Sequence, residues 1–231
     1  MKTFVFPAAV VFAFLSTGAL RAQTAAGPPA EPTLPPWART QVHVGLGVAA
    51  PQLRAGQALL ANKNRRAAEG SYGRQLGQTV EIGFYKPLRA VPGLLLGANF
   101  KLSLTGSEPD AGYPEGYYFN PGLLGAAAKY YPLRNGAARN LFVRAEGGVS
   151  FVLEKTRFVN DQGAQNFFHQ FGVGAGALGG LGYSLPVGKR RGLLLEPALT
   201  YELHGTRVEV NGVGDDPWRF GVLSGMLTLS F

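Results

Sequence analysis

Few residues in this chain have types and spacings that could do chemistry. Gly174-Ala175-Gly176-Ala177-Leu178-Gly179 matches G-x-G-x-x-G, and Glu196 follows about twenty residues on, the spacing of a dinucleotide site. That chemistry needs a strand before the glycines and a helix after them, so that the helix N-terminus meets the phosphates. Here Gly180-Leu181-Gly182-Tyr183-Ser184-Leu185-Pro186 follows, which cannot hold a helix. Small residues lining a tight wall are the better reading. Local spacing around His43, His169 and His204 supports no metal site. Asp215 and Asp216 are adjacent carboxylates, too few to argue for calcium. His204-Gly205-Thr206 with Glu209 brings an imidazole, a hydroxyl and an acid together, but threonine is a rare nucleophile without a special base. The expectation is therefore no catalytic, cofactor-binding or metal residues.

Composition narrows the class further. The chain has 231 residues, no cysteine, 33 glycines and a formal charge of +8. Without cysteine there is no disulfide framework, thiolate zinc site, cysteine nucleophile or lipoprotein anchor. Charged residues make up 16%, against about 25% in a typical soluble domain. Hydrophobic residues reach 46%, so this is not a disordered composition.

Residues 1–22 read as a secretory signal peptide. Lys2 precedes an apolar run from Phe4 to Leu20, and Leu20-Arg21-Ala22 offers a cleavage site. Residues 23–40 are rich in proline and alanine and read as an extended periplasmic tether. For an exported chain the basic balance does not point to nucleic acid.

From Gln41 onward apolar positions recur every second residue rather than at helical spacing. The sets are Val42, Val44, Leu46 and Val48; Val80, Ile82 and Phe84; Leu94, Leu96, Ala98, Phe100, Leu102 and Leu104; Leu124, Ala126, Ala128 and Tyr130. They continue with Leu141, Val143, Ala145, Val149, Phe151 and Leu153; Phe171, Val173, Ala175 and Ala177; Leu193, Leu195, Leu199, Tyr201 and Leu203; and Leu223, Leu227, Leu229 and Phe231. This predicts eight strands, several near the roughly 9–11 residues with which a tilted strand crosses a bilayer. Gaps near 50–77, 106–119, 155–166 and 205–217 are long, and those near 88–93, 132–140 and 185–192 are short. Such alternation fits a membrane barrel with long loops outside and tight turns in the periplasm. A soluble sandwich gives no reason for it.

The last strand reads Met226-Leu227-Thr228-Leu229-Ser230-Phe231, and Tyr85-Lys86-Pro87-Leu88 and Tyr131-Pro132-Leu133 sit at short turns. In these features residues 41–231 resemble a small eight-stranded outer-membrane β-barrel of the OmpA/OmpX type, or the porin-family outer-membrane β-barrel domain. The resemblance implies an all-β, transmembrane, antiparallel up-and-down barrel in the outer membrane of a Gram-negative-type envelope. It implies that Phe231 is the mark read by the barrel-insertion machinery. The expected role is structural or interactive, by a non-enzymatic monomer with loops outside. One alternative is a narrow pore or transport route for small or apolar solutes. The other is a lipid A-modifying enzyme, since lipid A deacylases carry a His-x-Ser element of which His204-Gly205-Thr206 is a distorted form.

The polar face of the strands carries Glu81, Lys101, Lys129, Arg144, Glu146 and Glu196. Three bases against three acids predict a paired network, because eight strands enclose just enough space for side chains and unpaired buried charge is costly. Gly45, Gly47, Gly83, Gly97, Gly125, Gly148, Gly172, Gly174 and Gly176 are expected to face inward and leave room for it. Trp37, Tyr85, Tyr118, Tyr130, Tyr183, Tyr201 and Trp218 suit interfacial girdles, although Trp218 falls out of phase. His169 and His204 are expected at the outer rim, met by water. The 50–77 loop holds Arg54, Lys63, Arg65, Arg66 and Arg74 against Glu69. The expected partners are outer-membrane lipids, with glycolipid phosphates meeting that loop.

Overall fold

Alternation along successive strands makes a sheet with two unlike faces. In lipid such a sheet has to close, because every backbone N–H and C=O needs an internal partner. The computed structural model has this closed form and describes residues 35–53, 76–107, 116–133, 135–159, 165–187, 192–210 and 214–231. Eight long strands are β1 Gln41–Leu53, β2 Gly77–Pro87, β3 Leu94–Ser107, β4 Gly116–Tyr130, β5 Leu141–Val159, β6 Gln165–Tyr183, β7 Leu194–Val210 and β8 Gly214–Ser230. A two-residue ladder, Leu185–Pro186, adds to the start of β7. Each strand pairs antiparallel with its neighbour in the chain, and β8 pairs with β1 to close the ring.

Register fixes the shape. Partners followed from Gln41 lead through Tyr85, Gly97, Ala127, Glu146, Leu178, Glu202 and Val222 back to β1 at Pro51. The ring therefore returns at position 51 of the strand it left at position 41, a stagger that goes with a strand tilt of about 35–45°. Every residue on this path points inward, because a stagger of even length preserves the pleat.

The two faces are inverted relative to a soluble protein. Leu46, Leu181, Leu203 and Leu227 are each more than half exposed, at 51%, 55%, 55% and 52%, whereas Lys101 and Trp218 are sealed inside. This is the distribution of a barrel that spans a membrane with its strands. No helix among the described residues is long and apolar enough to cross.

Two of the expected long loops are corrected. β5 and β6 stay paired to Val159 and Gln165, and β7 and β8 to Val210 and Gly214. Only 160–164 and 211–213 connect them, so most of 155–166 and 205–217 is strand. Beyond the apolar belt a hairpin needs no apolar face, and the period-two signal fades while backbone pairing continues. At the other end Gly93, at φ 90°, turns the chain between β2 and β3 in a conformation that L side chains rarely adopt. Pro36–Ala38 form a single 3-10 turn just before β1.

Candidate functional site

The lumen gathers the polar chemistry of this chain. Inward positions alternate along each strand, and three tiers of charge follow one another from the end where β1 begins.

The first tier centres on Glu196 of β7. Its Oε1 accepts from Lys129 Nζ at 2.6 Å and from Ser184 Oγ at 2.5 Å, and its Oε2 accepts from Ser230 Oγ at 2.6 Å. Lys129 Nζ also donates to Gln41 Oε1 at 2.9 Å, while Gln41 Nε2 donates to the Pro36 carbonyl at 2.7 Å. The ammonium lies 4.3 Å from the Phe142 ring centroid and 5.6 Å from those of Tyr85 and Tyr131. Ring faces and carboxylates thus share one cation. Tyr85, Leu95, Ala127, Tyr131 and Phe142 make a buried cluster around it, with Trp37 packed against them.

The second tier is an arginine fork. Arg144 Nη1 and Nη2 donate to Glu81 Oε1 and Oε2, each at 2.6 Å, the bidentate geometry that gives the strongest such pairs. His43 Nε2 lies 3.2 Å from Glu81 Oε1 and 3.1 Å from Asn99 Oδ1. Asn99 Nδ2 donates to Glu146 Oε2 at 2.8 Å, and Glu146 Oε1 has no hydrogen-bond partner among the described residues.

In the third tier Lys101 Nζ sits 2.6 Å from Glu202 Oε1 and donates to Thr200 Oγ1 at 2.8 Å. Glu202 Oε2 is 3.3 Å from His204 Nε2, and His204 Nδ1 is 2.7 Å from Ser150 Oγ. The imidazole stacks on Phe220 at 4.6 Å, and Phe220 meets Phe119 edge-on at 5.0 Å. Serine, imidazole and carboxylate in a row is the order of an acyl-transfer triad. The packing opposes that use. A Cβ built on the neighbouring Gly176 would lie 3.0 Å from Ser150 Cβ and 2.9 Å from Leu123 Cδ1, so the wall facing Ser150 is closely packed there. Both ring nitrogens meet partners, as buried polar groups require.

The structure places Glu81, Lys101, Lys129, Arg144, Glu146 and Glu196 inside the barrel, all buried. The ion pairs do not run within that set of six alone. Lys129 takes Glu196, Arg144 takes Glu81, Lys101 takes Glu202, and Glu146 is held by Asn99. Glu202, His43 and His204 join the network, and the signal for Glu202 was its parity with Glu196 and Thr200. His204 is corrected from the rim to the interior, where Ser150 and Glu202 rather than water meet its ring. Glu209 points outward, away from Thr206. The Gly174–Gly179 motif lies wholly within β6 and no helix follows it.

The aromatic girdle is also corrected. Tyr85 and Trp218 are buried inside and Trp37 packs on Tyr131, while Tyr118, Tyr130 and Tyr201 are exposed on the outer wall. Among the glycines, Gly83 makes room for His43 and Asn99, but a Cβ on Gly97 would strike the Phe84 carbonyl of the next strand. Close strand approach explains Gly97, not space for a charged side chain. Phe231 exposes its ring outside while its backbone N–H and C=O pair with Val42. The signal-peptide reading of 1–22, most of 23–40 and the basic loop lie outside the described residues.

No protein-family model matches the chain, and no curated protein matches it. Among solved structures it is similar to Neisserial surface protein A, at 15% identity over 83% of this chain and 97% of that one, with a TM-score of 0.41. It is similar to Ail, the attachment invasion locus protein of Yersinia pestis, at 10% identity over 83% and 98%, TM-score 0.48. It is also similar to outer membrane protein OprG from Pseudomonas aeruginosa, at 11% identity over 83% and 95%, TM-score 0.39. These are likenesses of fold.

Proposed function

We propose that this chain is a non-enzymatic outer-membrane protein: a rigid, side-chain-filled barrel that acts through the loops at the end opposite Gln41 and Phe231. In this reading residues 1–22 direct export, residues 23–40 tether the barrel on the periplasmic side, and Phe231 marks it for the insertion machinery. The supporting observation is the series Lys129–Glu196, Arg144–Glu81 and Lys101–Glu202, three buried ion pairs at successive heights in one narrow lumen. A conducting path needs polar groups that solvate a passing ion and then release it. Charges already paired with one another and wedged by Phe142, Tyr85 and Phe220 do neither.

The test is refolding of residues 23–231 in lipid, followed by gel mobility with and without boiling and by single-channel recording. A faster unboiled band and no steady conductance are expected, with conductance rising in Arg144→Ala. Steady conductance of the unaltered protein would favour the narrow-pore reading. Identical mobility in both lanes would overturn the inserted barrel. Lipid A acylation, compared by mass spectrometry with and without His204→Ala, is expected to be unchanged; a lost acyl-chain difference would favour the enzyme.

A further inference from the structure

The chain enters β1 from across the mouth of the barrel. Pro36–Ala38 make one 3-10 turn, in which the Ala38 N–H donates to the Pro35 carbonyl at 2.9 Å. Trp37 packs against the buried cluster of Tyr85, Leu95, Ala127, Tyr131 and Phe142, with its ring 6.1 Å from that of Tyr131. Tyr131 follows β4 and Phe142 lies on β5. In a closed ring of eight strands β5 stands opposite β1, so Trp37 reaches over the opening to the far wall. Arg39 extends to a third side. Its Nη1 lies 3.5 Å from where a Cβ on Gly192 would stand, in the connection between β6 and β7.

The cluster that Trp37 covers also holds the Lys129 ammonium, 5.6 Å from the Tyr131 ring centroid. Gln41 joins the cover to that charge. Its Nε2 donates to the Pro36 carbonyl at 2.7 Å, and its Oε1 accepts from Lys129 Nζ at 2.9 Å. The cover is held less firmly than the wall it closes. β1 enters its ladder only at Gln41, and the turn before it has no side-chain cap. Trp37 is half-buried, while Ala38 and Thr40 are exposed. Arg39 Nε is buried with no hydrogen-bond partner among the described residues, which counts against the closed position. An element with few buried contacts and few backbone bonds opens at a free energy below that of global unfolding.

We infer that residues 36–39 are a lid on the lumen, latched by Trp37 and Gln41. It opens while the barrel stays folded and admits water from the end that carries the termini to Lys129 and Glu196. Water stops there, because the Arg144–Glu81 and Lys101–Glu202 pairs close the lumen further in. The lid therefore makes the first tier a compartment with access from one side, without adding a conducting path. This inference needs only the closed barrel.

The test uses the absence of cysteine from the chain, so that one introduced thiol reports on one place. Ser184→Cys puts it beside Glu196, at a position with no exposed surface. The refolded 23–231 barrel is treated with a small charged methanethiosulfonate, and the mass and the unboiled gel band are followed together. Slow but complete modification of a barrel that keeps its heat-shifted band is expected. Trp37→Ala should speed it by about tenfold or more, and Trp37→Phe, which keeps a ring on Tyr131, by less than about threefold. Ser103→Cys, beyond Lys101 on β3, should react at the same rate with and without Trp37. If Ser184→Cys loses the heat-shifted band, Ser230→Cys, on the other oxygen of Glu196, serves instead. No modification of the folded barrel with Trp37 in place would make 36–39 a fixed plug and overturn the lid. Equal rates for the chain with Trp37 and for Trp37→Ala would overturn it too. Equal acceleration of Ser103→Cys would overturn the one-sided compartment. A missing heat-shifted band in the unaltered protein would overturn the barrel instead.

Discussion

Lys101 Nζ stands 2.6 Å from Glu202 Oε1 with both side chains closed off from solvent, at 0% and 1% exposure. The two residues come from β3 and β7, so the contact crosses the lumen rather than running along one wall. Taking both charges out of water is expensive, and their mutual attraction, the Thr200 hydroxyl on Lys101 and the His204 ring on Glu202 offset it. Removing one partner leaves the other charged and alone. Glu202→Gln is expected to destabilise the barrel by about 3–5 kcal/mol. Adding Lys101→Met to it should recover most of that loss. Urea unfolding in lipid, followed by the mobility of the unboiled band, measures both. A cost for Glu202→Gln alone below about 1 kcal/mol would mean that the pair is solvated.

Glu81 and Glu146 are both buried carboxylates on inward positions, yet they should respond in opposite ways. Glu81 accepts two bonds from Arg144 and one contact from His43. Glu146 accepts one bond from Asn99, and its second oxygen has no hydrogen-bond partner among the described residues. Glu81→Gln should cost about 3–5 kcal/mol, because the guanidinium loses its counter-charge. Glu146→Gln keeps an acceptor for Asn99 and removes a poorly compensated charge, so its effect should stay within about 1 kcal/mol. Equal losses at the two sites would contradict this ranking.

The facing of these residues was legible in the sequence because parity along a strand is local. Glu81, Lys101, Lys129, Arg144, Glu146 and Glu196 each stand opposite an apolar alternate, and the structure places all six inside. Their partners were not legible. Which inward residues meet depends on tilt and stagger round the whole ring, and no stretch of one strand encodes either. Glu202 and His204 share the parity of Glu196 and Thr200, but only the closed register brings Glu202 to Lys101 and His204 to Ser150. The outer hairpins were hidden for a different reason. Pairs such as Arg207 with Pro217 and Glu209 with Asp215 continue the ladder without an apolar face. A pattern search for apolar alternation stops where the hydrocarbon stops.

Tyr131 closes the lumen at the end nearest the termini. Its hydroxyl is 2.8 Å from Ser184 Oγ and 3.5 Å from Glu196 Oε1, and its ring packs on Phe142 and Trp37. Tyr131→Phe removes the hydroxyl alone, while Ser184 and Lys129 still satisfy Glu196. A loss of about 0.5–1.5 kcal/mol is expected. Tyr131→Ala also removes the ring and should cost about 3–5 kcal/mol. The same unfolding assay separates the two. Equal losses would assign the whole contribution to the hydroxyl.

The outer wall gives the sharpest physical test of the membrane assignment. Leu199 lies exposed on β7 with Pro197 and Tyr201 on the same face, opposite Leu181 of β6 and Gly225 of β8, with no charged residue among these neighbours. Leu153 is equally outward but lies toward the loop end of β5. In water, arginine at either position would replace an exposed leucine at little cost, and the two variants would behave alike. In a bilayer the cost depends on depth, about 2–4 kcal/mol at the midplane and about 0–1 kcal/mol near the interface. Leu199→Arg should therefore lose several times more stability than Leu153→Arg when each is refolded in lipid vesicles. Thinner bilayers should narrow the gap, because they bring the Leu199 level closer to headgroups. Small, equal costs at both positions, unchanged by bilayer thickness, would put this wall in water and leave the exposed leucines without a physical reason.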